Sequence, residues 1–183
     1  NNIWYNSCLL SPYSYSNPGT VDKDYDLWCA GTGDPVETND VNEDPLFVDG
    51  ESGDFRLTAE SPAIDAGGPL TTVHANDTGT GTSLILTNAN WFQDGWAGVD
   101  PDWVAVGTTN NAAQIDSIDY ATNTVTLASG ITRNDGDSVW LYKKSDGDLV
   151  LIGSAPDIGA FEYDPANTII QGTVTFIGRL DIN

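Results

Sequence analysis

Positive charge is scarce in this chain. Its 183 residues carry 6 Lys and Arg against 27 Asp and Glu, a formal net charge of −21. A nucleic-acid partner requires a cationic footprint, and its lack excludes that class. Anionic glycans and anionic lipid surfaces are disfavoured too, unless a cation bridges. The acidity suits an extracellular, salty or calcium-rich medium, where counter-ions relieve self-repulsion. Solubility alone accounts for it equally well. Methionine is absent, histidine occurs once and cysteine twice. No run approaches the roughly 18 apolar residues of a helical membrane span, so membrane insertion by a helix is not expected. The chain opens on Asn1-Asn2-Ile3-Trp4-Tyr5 and stops in a strand-like run. It is expected to be part of a longer product, with any targeting signal upstream.

Sustained 3.6-residue apolar periodicity is also missing, so no long helix is expected. Short strands separated by turn clusters run throughout, and the reading is all-β. In the first third, strands fall near Ile3–Tyr5, Tyr25–Cys29, Leu46–Val48, Phe55–Leu57 and Ala63–Asp65. The turns between them carry Asn17-Pro18-Gly19, Gly31-Thr32-Gly33-Asp34-Pro35, Asp49-Gly50 and Ser52-Gly53-Asp54. Strands this short make no independent hairpin, whereas stacked parallel coils would share one core.

Two separated phrases carry a specific resemblance. Residues 44–67 read DPLFVDGESGDFRLTAESPAIDAG, and residues 157–163, some ninety positions later, read DIGAFEY. Together they resemble the closing turns of the right-handed parallel β-helix of secreted pectate-lyase-like proteins. The resemblance covers residues 1–67 and 157–163 and implies the last coils of such a helix. It also implies that DIGAFEY pairs beside the PAIDAG strand, burying Ile158 and Phe161. Cys8 and Cys29 lie 21 positions apart, close to one coil of a β-helix. Stacked coils put such residues about 4.8 Å from each other, within disulfide reach. A bridge there would contribute roughly 3 kcal/mol and place the protein outside the cytosol; two buried thiols are the alternative.

Residues 68–156 interrupt the two phrases with longer strands of their own. Ser83–Leu86, Trp103–Val106, Gln114–Ile118, Thr124–Leu127, Val139–Tyr142 and Leu149–Ile152 are the predicted ones, with hairpin turns at Ala121-Thr122-Asn123 and Asp146-Gly147. They predict an inserted small antiparallel β-barrel, which hides its own edges. Beyond Tyr163, residues 164–183 read as a linker and one strand, Ile169–Ile182. It resembles the opening strand of a following module and is a candidate for self-association through its edge.

Few constellations carry chemistry. His74, the one histidine, has Asp77 nearby but no second histidine or cysteine pair, so a linker role fits better than a triad or zinc site. With so many acids, carboxylate pairs at glycosidase-like separation arise by chance. The lyases of the resembled family use a Lys or Arg base and calcium. In the helix part only Lys23 and Arg56 are cationic, and neither stands where a base is assignable. Asp40, Asn42 and Asp44 begin a D-x-N-x-D oxygen-ligand loop, making Ca2+ the candidate cofactor. Yet Pro45 replaces the needed glycine and Glu51 comes one place early for the closing acid. Asn134-Asp135-Gly136-Asp137 and Ser145-Asp146-Gly147-Asp148 are acidic as well, but they are too short to supply six oxygens alone and read as ordinary Asp-Gly turns. Trp91, Trp96 and Trp103 crowd into NANWFQDGWAGVDPDWV. Aromatic faces beside Asn, Gln and Asp suit sugar rings; filling a barrel is the competing use.

These readings converge on a non-catalytic, capping or accessory end of a secreted or cell-surface β-helix protein associated with polysaccharide. A structural, adhesive or filament-forming surface protein is the second class. The tail of a polysaccharide lyase or glycoside hydrolase, with its catalytic coils upstream, is the third. No lyase or hydrolase activity on uronans is expected from this chain alone.

Overall fold

The computed structural model describes residues 3–4, 25–28 and 38–167. Cys8, Cys29 and the strand expected at 169–182 lie outside the described residues, as do most of the turns expected before residue 38. Within them the protein is all-β. Ten strands are described: β1 Ile3–Trp4, β2 Leu27–Trp28, β3 Phe47–Asp49, β4 Asp54–Leu57, β5 Thr71–Thr72, β6 Gly79–Ile85, β7 Trp103–Val106, β8 Thr108–Asp119, β9 Thr124–Arg133 and β10 Ser138–Lys143.

The first part holds two unlike pairings. β1 and β2 run parallel, with Ile3 opposite Leu27 and Trp4 opposite Trp28. Leu27 also bridges Val41 in parallel, and the Val41 N–H donates to the Asp26 carbonyl at 2.8 Å. β3 and β4 instead form an antiparallel hairpin, Phe47 opposite Leu57 and Asp49 opposite Asp54. This departs from the expected stack of parallel coils. Its cause is local: the loop Gly50–Gly53 turns the chain back at once through a 3-10 turn, capped by the Asp49 carboxylate accepting from the Ser52 N–H at 3.2 Å. Phe47 and Phe55 close the hairpin edge-to-face, 5.3 Å between centroids.

No strand forms at Ala63–Asp65, where one was expected. Residues 58–66 wind through successive tight turns instead, Ser61 N–H to Thr58 O, Ile64 N–H to Ser61 O and Ala66 N–H to Ala63 O. The Ser61 hydroxyl fixes this winding to the hairpin by donating to the Pro45 carbonyl at 2.6 Å. Leu27, Leu57, Ala63 and Ile158 make one buried cluster, with Ile3, Val41 and Phe47 packed on its margin. Each fully buried aliphatic side chain there contributes roughly 1.5–3 kcal/mol.

Residues 71–143 form one antiparallel sheet in the order β5-β10-β7-β8-β9-β6. Its two edges approach each other. Val73 bridges Leu86, the His74 N–H donates to Ile85 O at 2.8 Å, and the Thr87 N–H donates to Thr72 O at 2.9 Å. The sheet is thereby curled on itself, which hides its two edges. Strand alternation sends Leu84, Val104, Val106, Ala113, Ile115, Val125, Leu127 and Val139 into one buried cluster with Phe92. Ala105 and Trp140 point the other way and are covered by Leu151.

The expected hairpins at Asn123 and Gly147 are present. Asp119 pairs with Thr124 across the first, and the Gly147 N–H donates to Lys144 O at 2.9 Å in the second. Leu149–Ile152 is no regular strand; it meets β10 through the single Lys143–Leu149 bridge. The sixth strand of the sheet is β5, which the sequence did not mark because two threonines carry no apolar alternation.

Candidate functional site

Two places in the fold gather polar and aromatic groups of consequence. The first is the return of residues 150–163 to the winding at 61–67. The Ile158 N–H donates to Ala63 O at 2.9 Å, and the Gly67 N–H donates to Pro156 O at 2.6 Å. A Cβ on residue 67 would stand 2.7 Å from that same oxygen, so only glycine fits this crossing.

Three carboxylates tie the crossing together. Asp157 takes the Asp65 N–H on one oxygen at 2.8 Å and the Tyr163 N–H on the other at 2.5 Å. Glu162 accepts from the N–H groups of Asp157 and Ile152 at 2.9 and 3.1 Å. Asp65 accepts from Ser154 and Ala155 at 2.6 and 3.0 Å. Burial pushes the Asp157 and Glu162 carboxyls up from their usual values, against the hydrogen bonds that pull them down. All three acids accept from backbone amides, so together they clasp the two segments. Ile158 is buried as expected, whereas Phe161 is 52 % exposed, against expectation. Glu162 has to turn inward to reach its two amides, and its neighbour Phe161 faces out. The two acid–aliphatic pairs at the crossing carry no shared sequence signal for it: Asp157 and Ile158 are buried, whereas Ile64 is half-buried and Asp65 exposed.

The second place is the loop 90–102 between β6 and β7. Phe92 anchors it in the sheet's core. Gln93 donates from its backbone and side chain to the Asp102 carboxylate at 3.0 and 3.3 Å, and from its side chain to Asp100 O at 2.7 Å. The Gly95 N–H donates to the Gln93 side-chain oxygen at 2.7 Å. Asp94 accepts the Ile118 N–H at 2.8 Å, fastening the loop to β8, and the Tyr120 hydroxyl donates to Phe92 O at 3.0 Å. Desolvation and then the charges of Asp94 and Asp102 raise the Tyr120 phenol above its usual value.

This polar bracing leaves the tryptophans outside. Trp91 is 57 % and Trp96 75 % exposed. Trp96 pairs with Val99 through two backbone hydrogen bonds of 3.1 and 2.8 Å around Ala97 and Gly98, both at positive φ. That is a two-residue hairpin turn, a stiff mount for an aromatic ring. Neither ring fills the sheet's interior, which Phe92 and the aliphatic residues occupy. Trp103 is partly buried on β7, with the Lys143 ammonium 5.0 Å from its ring centroid.

The remaining sequence candidates are placed as follows. Asp40 accepts from the Asp26 N–H at 2.9 Å and Asp44 from the Leu46 N–H at 2.9 Å, while Asn42 is exposed. No group of three or more His, Cys, Asp or Glu side chains that could hold a metal ion occurs among the described residues. The two acidic turns are internally bonded: Asp137 accepts from the Asn134 N–H at 2.8 Å, and Asp146 accepts from the Asp148 N–H at 3.0 Å. The His74 ring bonds to the adjacent Ala75 carbonyl at 2.7 Å, and Asp77 is engaged by Arg133 at 2.7 Å.

What the geometry defines is an all-β protein with a curled antiparallel sheet, a carboxylate clasp and a braced aromatic loop. No protein-family model, curated protein or solved structure matches the chain.

Proposed function

We propose that this chain is the non-catalytic closing segment of a secreted, polysaccharide-associated β-helix protein. In this reading it caps the last coils and presents Trp91 and Trp96 to glycan. The observation that carries the reading is the clasp, which brings Asp157 and Ile158 back onto Asp65 and Ala63 across the whole of the intervening sheet. The parallel pairs Ile3–Leu27, Trp4–Trp28 and Leu27–Val41 support it, since stacked coils pair in parallel. A non-catalytic role is supported by the occupation of all four described cations. Arg56 is bound to Asp54, Arg133 to Asp77, Lys144 to Asp146 and Asp148, and Lys143 lies over Trp103.

Affinity electrophoresis of the purified chain in gels containing neutral, amino-bearing and uronic polysaccharides tests this. Retardation by at least one of them, abolished in a Trp91→Ala/Trp96→Ala variant of unchanged circular dichroism, is the expected result. Indifference to every polysaccharide would remove the accessory role. Unsaturated uronide formed by the purified chain, and lost on one substitution within it, would remove the non-catalytic one. Sedimentation separates a cap from a filament subunit, because only the latter assembles as concentration rises.

A further inference from the structure

The loop that carries Trp91 and Trp96 is acidic as well as aromatic. Asp94, Asp100 and Asp102 lie within it, and Asp100 is exposed. The loop itself holds no Lys or Arg, and of the described cations only Lys143 stands by its end, over Trp103. The fold itself shows what does suit an aromatic ring in this neighbourhood. Trp103, the third tryptophan of the same stretch, is covered by the Lys143 ammonium at 5.0 Å, which also lies 5.6 Å from the Tyr142 ring. Trp91 and Trp96, at 57 % and 75 % exposure, offer their surfaces to solvent, Trp96 from the hairpin turn it shares with Val99. An amine brought by a ligand would do for them what Lys143 does for Trp103.

We propose that the Trp91–Trp96 loop binds a glycan bearing free amino groups, a glucosamine-type polymer, in preference to neutral or uronic glycans. The inference rests on the polysaccharide reading above and narrows it to one substrate class. The apolar C–H face of the sugar stacks on the indoles, and the ammonium falls in the field of the aromatic rings and of Asp94 and Asp100. The loop's own polar groups are largely spent. Both Asp102 oxygens, one Asp94 oxygen and both ends of the Gln93 amide are already bonded within the protein. Recognition therefore depends on stacking and charge more than on hydrogen-bond readout of hydroxyls. A uronic acid would set its carboxylate against Asp94 and Asp100 and be repelled.

Calorimetric titration of the whole chain with a glucosamine tetrasaccharide, its N-acetylated counterpart and a tetragalacturonate tests the proposal. At low salt the amino form is expected to bind about tenfold more tightly than the acetylated form, and the galacturonate not at all. Raising the salt should narrow the gap, since exposed charges are screened. Asp100→Asn should narrow it as well, without weakening the acetylated sugar, because the exposed Asp100 side chain braces nothing in the loop. Trp91→Ala and Trp96→Ala should each weaken both the amino and the acetylated forms.

Equal affinity for the amino and acetylated sugars would overturn this inference and leave the broader polysaccharide reading standing. Undiminished binding of the amino sugar to the tryptophan variants would overturn it too, since net acidity alone would then be drawing the ligand in. Failure of all three sugars, confirmed by indifference to every polysaccharide in the gels, would defeat both readings together.

Discussion

The backbone amide of Asp65 donates to the carboxylate of Asp157 at 2.8 Å, across 92 positions of sequence. The other oxygen of Asp157 holds the Tyr163 amide, and the residue is only 4 % exposed. Asp157→Ala would leave both amides without their partner in a dry setting, at about 1–3 kcal/mol for each. A fall in stability of roughly 2–4 kcal/mol is expected from urea unfolding, and Asp157→Asn, which retains an acceptor oxygen, should lose less than half of that. An unchanged urea midpoint for the alanine variant would show that the clasp contributes nothing.

Acidification should stabilise the protein before it destabilises it. Burial raises the Asp157 and Glu162 carboxyls above their usual 3.8 and 4.5. Groups that hold a proton more tightly when folded add stability as pH falls through the raised folded values, and the gain is complete below the unfolded ones. Asp77 is the opposite case, held low first by its hydrogen bond to Arg133. Its stabilisation is present above 3.8 and is lost as pH falls through its lower folded value. Relief of the −21 net charge on acidification is nearly common to the wild type and an Asp157→Asn/Glu162→Gln variant. The difference between their melting curves therefore reports the two buried acids. The wild type should gain more between neutral and mildly acid pH; parallel curves would contradict the assignment.

Within DIGAFEY the two large apolar residues should behave unlike each other. Ile158 is fully buried against Leu27, Leu57 and Ala63, so Ile158→Ala is expected to cost about 2–5 kcal/mol. Phe161 is 52 % exposed, and Phe161→Ala should stay within about 0.5 kcal/mol of the parent in the same denaturation series. Equal losses at the two positions would restore the expectation that both face the core.

The parts of the fold that were readable from sequence share a physical reason. Trp103–Val106 was bounded correctly because its strand is marked by Asp100-Pro101 before it and Gly107 after it. Of β8 and β9 only the parts beside the turn, Gln114–Ile118 and Thr124–Leu127, were legible, because apolar alternation flanks Ala-Thr-Asn there and fades farther out. The winding at 58–66 was not readable, since a short apolar run such as Ala63-Ile64 looks alike in a strand and in tight turns. The residues Asp49-Gly50 and Ser52-Gly53-Asp54 suit a four-residue hairpin loop as well as a coil corner, and pattern alone does not separate them. The clasp was invisible because periodicity reports apolar faces and says nothing about where a carboxylate finds its donors. Of the aromatic loop, the crowding of tryptophans among Asn, Gln and Asp was legible, but the turn at Ala97-Gly98 was not. The bracing by Asp102 and Ile118 depends on contacts that spacing does not encode.

The ion pair inside the curled sheet is expected to be costly to break and cheap to replace. Arg133 donates to both oxygens of Asp77 at 2.7 Å, with their side chains 10 % and 12 % exposed, and Asp77 also accepts the Ile85 amide. Asp77→Ala leaves a buried guanidinium whose Nη1 already lacks a partner, and should cost about 3–5 kcal/mol. Adding Arg133→Met should return most of that loss in guanidinium unfolding. A double variant as unstable as the single one would mean that the Ile85 amide, not the charge, sets the cost.

The turn beneath Trp96 can be improved, and doing so separates its two roles. Ala97 and Gly98 sit at φ of +45° and +95° between the hydrogen-bonded pair Trp96 and Val99. A two-residue turn with both central residues at positive φ favours Asn-Gly, because asparagine tolerates that region better than alanine does. Ala97→Asn is therefore expected to stabilise the protein by about 0.5–1 kcal/mol in thermal unfolding. Gly98→Ala should destabilise it by at least as much, since a Cβ is strained at that angle whatever the space around it. If the turn is the mount of a binding ring, Ala97→Asn should leave glycan affinity intact or raise it by holding Trp96 more firmly, while Gly98→Ala should lower it in step with the loss of order. Loss of affinity in the stabilised variant would mean that Trp96 has to move in order to bind, and the loop would then be a flexible contact instead of a preformed one.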